Sequence, residues 1–243
     1  MNLISTLKTC FCLTIAISQS ITTSGQELRI DHVITVVPNL DEAIDEYGKM
    51  GFSVKKGRLH DNGLTNAHIK FQNQSSIELM SIVGEPKDEM ARNYQSLLNA
   101  GIKGAYLALS GLSLDSIEVA LIRLSVKYEI SKDASWTYVT FPDESEYHHI
   151  FFIIYHSEHT SLENLFKHQN KVDGFENIKI EGSNKLTELF EEFGLKPVIT
   201  ESHLSSTFPT KTGSITVIPQ KTQDQRYQVV ELSFDEDLKL KLF

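Results

Sequence analysis

The chain has 243 residues, of which 40% are hydrophobic and 23% charged, with a formal net charge of -9. That is enough apolar material for a sizeable core, and an acidic chain without a Lys/Arg stripe is a poor match for the phosphate backbone of nucleic acid. Both cysteines, Cys10 and Cys12, lie in the first dozen residues, inside the segment read below as a leader. A mature protein without them would have no thiol for a disulfide, a zinc site or nucleophilic catalysis.

Residues 1 to 8 carry Lys8 and no acid, and an apolar run from Cys10 to Ile17 follows. Small residues suited to cleavage stand at Ala16-Ile17-Ser18 and Thr23-Ser24-Gly25. The run is too short to span a bilayer, and the pattern predicts a secretory signal peptide over residues 1–25 and a secreted or periplasmic product. No later segment is apolar for long enough to cross a membrane.

From Ile30 the pattern is strand, helix, three strands. A β-branched strand over 30–37 stops at Pro38-Asn39, and a helix over about 41–50 carries Leu40, Ile44 and Tyr47 on one face with Gly51 at its end. Strands are expected over 52–56, 67–71 and 76–83, separated by turns at Asp61-Asn62-Gly63 and Gln72-Asn73. The same order recurs over 104–156, with a helix from Asp115 and strands over 137–141 and 150–155. A third copy begins at Phe175, with a helix lined by Leu186, Leu189 and Phe190 and further strands over 198–200, 214–218 and 228–234.

The reading is an α+β chain of repeated βαβββ modules whose curled mixed sheets surround a cup. Two modules, 30–83 and 104–156, make a domain over 28–160, and residues 161–243 form a third, more divergent module. Sequence leaves open whether modules pair within one chain or across a homodimer.

Ile30-Asp31-His32-Val33, then Val37-Pro38-Asn39-Leu40-Asp41-Glu42-Ala43 and Met50-Gly51-Phe52-Ser53-Val54, resemble the opening of the glyoxalase-like domain family. Residues 57–69 and Ile77-Glu78-Leu79 resemble its next two motifs in the same order, and Phe151 to Tyr155 resemble a later strand. His168-Gln169-Asn170 resembles a His-Pro-Asn motif with the proline replaced.

The resemblance implies a vicinal oxygen chelate scaffold whose relatives hold a divalent metal through a His on a first strand and a Glu on a fourth strand; His32 and Glu78 match those positions. Imidazole and carboxylate suit such an ion, and open coordination sites would let it bind vicinal oxygens of a substrate. The second module offers Ala105-Tyr106-Leu107 on its first strand and Ile154 on its fourth. In the third, Asn177 matches His32, and Val230-Glu231-Leu232 echoes Ile77-Glu78-Leu79. A third ligand or general base would therefore come from Glu231, His60 or a histidine between 148 and 168.

His60 and Asn66, flanking a Gly-containing turn, and Tyr106 are candidate ligand contacts. Only one of His148 and His149 can face inward if they alternate on a strand, and His156, His159 and His168 fall in a polar linker and read as solvated. No nucleophile elbow or phosphate-cradling glycine loop occurs.

Two functions follow. One is a divalent-metal-dependent lyase, isomerase or dioxygenase-like enzyme acting on a small oxygen-rich substrate; the other is a binding protein that sequesters a small molecule in the same cup. Beside these two stands a module that keeps only the scaffold and binds a partner or serves a structural role.

Overall fold

The computed structural model describes residues 27–157, 166–199, 205–219, 228–235 and 237–242. The expected leader and His159 lie outside the described residues.

β1 (Arg29–Val36) leads into α1 (Leu40–Lys49), whose start is set by Asn39. The Asn39 side chain accepts hydrogen bonds from the amides of Asp41 and Glu42 and donates to Glu42 Oε1, meeting N–H groups that a helix cannot satisfy itself. Leu40, Ala43 and Tyr47 turn inward from one helical face. β2 (Lys55–Leu59), β3 (Leu64–Lys70) and β4 (Ser76–Ile82) follow, and β4 returns parallel to β1 with His32 opposite Ser76 and Ile34 opposite Glu78.

The second unit consists of β5 (Gly104–Ser110), α3 (Leu114–Arg123), β6 (Glu129–Lys132), β7 (Trp136–Thr140) and β8 (Ile150–Tyr155). The two units share one eight-stranded sheet, ordered β2-β3-β4-β1-β5-β8-β7-β6. Their seam is the antiparallel pair of β1 and β5, so these modules pair within a single chain.

Between the units lies α2 (Glu89–Asn99), capped by Asp88, whose carboxylate accepts from the Ala91 amide. This helix lies on the concave face. Ala91 and Tyr94 pack there with Ile34, Val36, Leu64 and Met80. Each large apolar side chain buried this way contributes roughly 1.5–3 kcal/mol, which is what holds the helix in the first unit's half of the cup.

A second sheet is ordered β10-β11-β12-β9-β13-β14. It comprises β9 (Asn177–Gly182), β10 (Val198–Ile199), β11 (Ser206–Thr210), β12 (Gly213–Pro219), β13 (Gln228–Ser233) and β14 (Lys239–Lys241), with α4 (Asn184–Glu192) after β9. The expected strand set differs here. β11, which contains Pro209 and is not among the expected strands, supplies the third strand, so the βαβββ unit closes at β12, parallel to β9. β13 runs antiparallel to β9, as β5 does to β1.

The sheets share a single apolar core. Val33, Leu107 and Phe152 of the first, with the flanking Phe52 and Phe71, belong to the same buried cluster as Ile178, Phe208 and Val229 of the second, with Phe190 of α4 and the flanking Phe234. β5 approaches β13 so closely that a Cβ on Gly104 would lie 1.9 Å from the Val229 carbonyl oxygen.

The histidine expected to be a solvated linker residue is instead a tie. His168 is 9% exposed; its Nδ1 accepts from the Ser53 amide at 2.9 Å and its Nε2 faces the Lys70 carbonyl at 2.9 Å. Asn170 donates to the Met50 carbonyl, and the amides of Gln169 and Asn170 reach the Gly51 carbonyl. Gly51 has φ of 88°, and any side chain there would run into Asn170. The His-Gln-Asn stretch thus pins the linker to the first unit.

Candidate functional site

β1 has a bulge that builds the site. Its pairing with β5 passes from Ile30 opposite Leu109 to His32 opposite Ala108, leaving Asp31 as the extra residue. Neighbours on a regular strand face opposite ways, but here the Asp31 carboxylate reaches His32 Nδ1 at 2.7 Å. Tyr155 also donates to Asp31, at 3.0 Å.

The carboxylate fixes the proton on Nδ1, so His32 turns Nε2 toward Glu78 Oε2, 3.7 Å away. Both side chains are 14% exposed. They point into the same concave face, as strand alternation and the resemblance require. Asn66 donates to the other Glu78 oxygen at 2.8 Å, lies 3.3 Å from His68 Nε2, and accepts from the Arg58 amide. Gly57 makes room for this, since a Cβ there would sit 2.0 Å from Asn66 Oδ1.

The electrostatics separate the two histidines. Burial alone would lower the proton affinity of His32, but the Asp31 hydrogen bond and charge, aided by Glu78, raise it above the ordinary histidine value. Burial likewise works against the Asp31 carboxyl, yet His32, Ser110 and Tyr155 hold it below its usual range. His68 moves the other way: burial depresses it, Glu78 opposes, and Lys70, His32 and Lys55 add to the depression. The cup therefore holds a proton-binding imidazole beside a neutral one.

The second unit gives the cup aromatic rings. The β5–β8 register, with Leu107 opposite Ile150, makes Phe151 rather than Ile154 the counterpart of Glu78 when Tyr106 is set against His32. Ile154 packs into the core on the other face. Phe151 meets His32 edge-on at 5.6 Å and Tyr138 at 5.8 Å. Burial, then Glu78 and Asp31, push the Tyr138 phenol up to about 12, so it stays protonated and able to donate.

Two other expected residues stand apart. Glu231 is on β13, in an ion pair with Lys179 at 2.7 Å, and Lys179 holds its carboxyl below the usual range. In the third unit the register sets Thr216, not Glu231, where Glu78 stands once Asn177 is matched to His32; the Val-Glu-Leu echo is one of sequence alone. His60 closes the β2–β3 turn through backbone bonds with Leu64 and Gly63, and its Nε2 is buried without a partner.

Asp31, His68, Tyr138, Phe151 and Tyr155 were not assigned roles by sequence. A signal existed for His68, two residues beyond Asn66 and so on the same strand face. None existed for the bulge that frees Asp31.

The family resemblance implies a divalent metal at His32 and Glu78. A metal would find His32 Nε2 and Glu78 as donors, with Asp31 behind the histidine as metal-binding imidazoles require. However, Glu78 is already bonded by Asn66, protons compete for His32, and no group of three or more His, Cys, Asp or Glu among the described residues could hold an ion. This donor set falls short of a resident metal centre.

No curated protein matches the chain in sequence. Among solved structures, a hypothetical protein from Staphylococcus aureus superposes with a TM-score of 0.61 at 15% identity, over 83% of this chain and 88% of that one. Methylmalonyl-CoA epimerase from Mycobacterium tuberculosis gives 0.42 at 22% identity, over 56% and 92%. The first of these likenesses concerns the fold alone. The model of the glyoxalase-like domain matches residues 30–193, more than half of the chain, and the protein belongs to that family.

Proposed function

We propose that this protein is an exported enzyme of the isomerase or lyase type that moves a proton on a small oxygen-rich substrate in the cup. The observation that carries the reading is the Asp31–His32–Glu78 set: a carboxylate facing an imidazole whose affinity for a proton is raised. Glu78 takes the proton from a carbon next to a carbonyl. Protonated His32, oriented by Asp31, then donates to the oxygen on which charge develops. Asn66 keeps the Glu78 carboxylate in place while its other oxygen faces His32. Export rests on the N-terminal pattern of residues 1–25.

A second reading, capture of a small molecule without reaction, draws on the aromatic wall of Tyr106, Tyr138 and Phe151. One experiment separates the two. The chain is incubated in D2O with hydroxyacetone, glycolaldehyde, pyruvate and lactate, and loss of carbon-bound protons is followed by NMR. Exchange is expected in the wild type and at least about 100-fold slower exchange in Glu78→Gln. Binding without exchange favours capture; equal exchange in Glu78→Gln refutes the assignment of the base.

A further inference from the structure

The second unit's wall of the cup contains a hydrogen-bonded chain that the Asp31–His32–Glu78 set does not use. Tyr106 on β5 is in the apolar cluster of the concave face, with Ile34, Met80 and Phe151. Its hydroxyl lies 3.3 Å from His148 Nε2. His148 Nδ1 lies 3.2 Å from Asp143 Oδ1 and 3.4 Å from the Phe141 carbonyl. His148 is in the turn before β8 rather than on a strand, so both it and His149 pack against the Tyr106 ring.

Proton positions follow from the partners. Both groups facing Nδ1 are acceptors, so the neutral imidazole carries its proton there. Nε2 is then an acceptor, and among the described residues the group opposite it is the Tyr106 O–H. This is the logic of Asp31 and His32 repeated in the other unit, with a phenol added at the end. The chain also leads somewhere: the Asp143 side chain is 51% exposed and that of His148 only 11%, while Tyr106 is at the inner end.

Other rings flank it among the described residues. Tyr94 of α2 meets Tyr106 at 5.6 Å, and His149 at 5.3 Å gives its Nδ1 to the Ala105 carbonyl. Tyr94 is raised by burial and then by Tyr106, Glu78 and Tyr138, which places the Tyr106 and Glu78 fields on one buried ring.

We propose that Asp143, His148 and Tyr106 form a proton relay between solvent and the cup, with the Tyr106 phenol as its inner end. The role in turnover rests on the proton-transfer reading above. As a substrate proton passes to the Tyr106 oxygen, the phenol proton passes to His148 Nε2. Asp143 holds the resulting imidazolium until it gives a proton to water, and the return runs through the same atoms in reverse.

The test is NMR of the full chain labelled with 13Cζ-tyrosine and 15N-histidine, titrated with pH. Tyr106→Phe and His148→Gln identify the two sets of resonances. Neutral His148 is expected to carry its proton on Nδ1, and the Tyr106 Cζ signal to step at the His148 midpoint. That step should vanish in His148→Gln, and Asp143→Asn should weaken the Nδ1-protonated preference of neutral His148 far more than Glu144→Gln does. A Tyr106 signal indifferent to His148, or a neutral His148 protonated on Nε2, overturns the relay. A silent Tyr106 in a chain that exchanges substrate protons ends this proposal and spares the functional reading. A relay that titrates as described in a chain that exchanges none does the reverse.

Discussion

Replacing His168 with alanine removes a tie whose cost can be worked from its contacts. The ring holds the Ser53 amide and the Lys70 carbonyl, each at 2.9 Å, and packs edge-on against Phe52 at 5.6 Å and Phe71 at 5.4 Å. Leaving a buried backbone group without its partner costs about 1–3 kcal/mol; two such groups and the lost ring packing total roughly 3–5 kcal/mol. Against a typical stability of about 5–15 kcal/mol that is a large fraction. Urea unfolding followed by Trp136 fluorescence measures it, with His168→Phe as the companion that keeps the packing and loses only the hydrogen bonds. Burial lowers the proton affinity of folded His168, partly offset by the Lys70 carbonyl. The unfolded chain therefore binds the proton first, so the stabilisation is full above the ordinary value of 6.5 and is lost as pH falls through the folded midpoint. A loss below about 1 kcal/mol at neutral pH would refute the view of His168 as a structural anchor.

Further outcomes are expected. Gly104→Ala should cost at least about 1–3 kcal/mol by overpacking β5 against β13, read as a lower urea midpoint; an unchanged midpoint contradicts the close approach. Asp31→Asn removes what raises His32, so activity should fall away on the alkaline side at lower pH than in the wild type. His32's own stabilisation, present below the ordinary value of 6.5 and lost as pH rises through the folded midpoint, should shrink with it. An unshifted pH profile would separate Asp31 from His32. Manganese measured by electron paramagnetic resonance should bind weakly, wash out on dialysis and bind no better in Glu78→Ala; one tightly held ion per chain would mean a site elsewhere. N-terminal sequencing of the exported protein should begin near residue 26, and recovery of Met1 would end the leader assignment.

The parts of the site legible in sequence were those that alternation controls. His32 and Glu78 face one another because period-2 strands and the family motifs place both on the concave side, and Asn66 joins them by the same rule. What failed depended on register. Ile154 was matched to Glu78 where pairing puts Phe151, because a one-residue slip reverses every side chain and nothing local marks it. Glu231 was matched on a three-residue echo that the order of strands does not respect. Asp31 is usable only through a bulge. His168 reads as polar linker until the fold brings Ser53 and Lys70, more than ninety residues away in the chain, to its two nitrogens.

The core that runs through both sheets gives the third unit a mechanical meaning. A cup made of eight strands alone would leave Val33, Phe71, Leu107 and Phe152 partly open behind its floor, and β9 to β14 cover that side. The cup face and the covered face are opposite surfaces of the same strands: His32 alternates with Val33, and Tyr106 with Leu107. Any loosening of the rear sheet is therefore transmitted through single strands to the spacing of His32, Glu78 and Tyr106. In the proposed reaction the rear sheet acts from behind, as the support that keeps those groups in register.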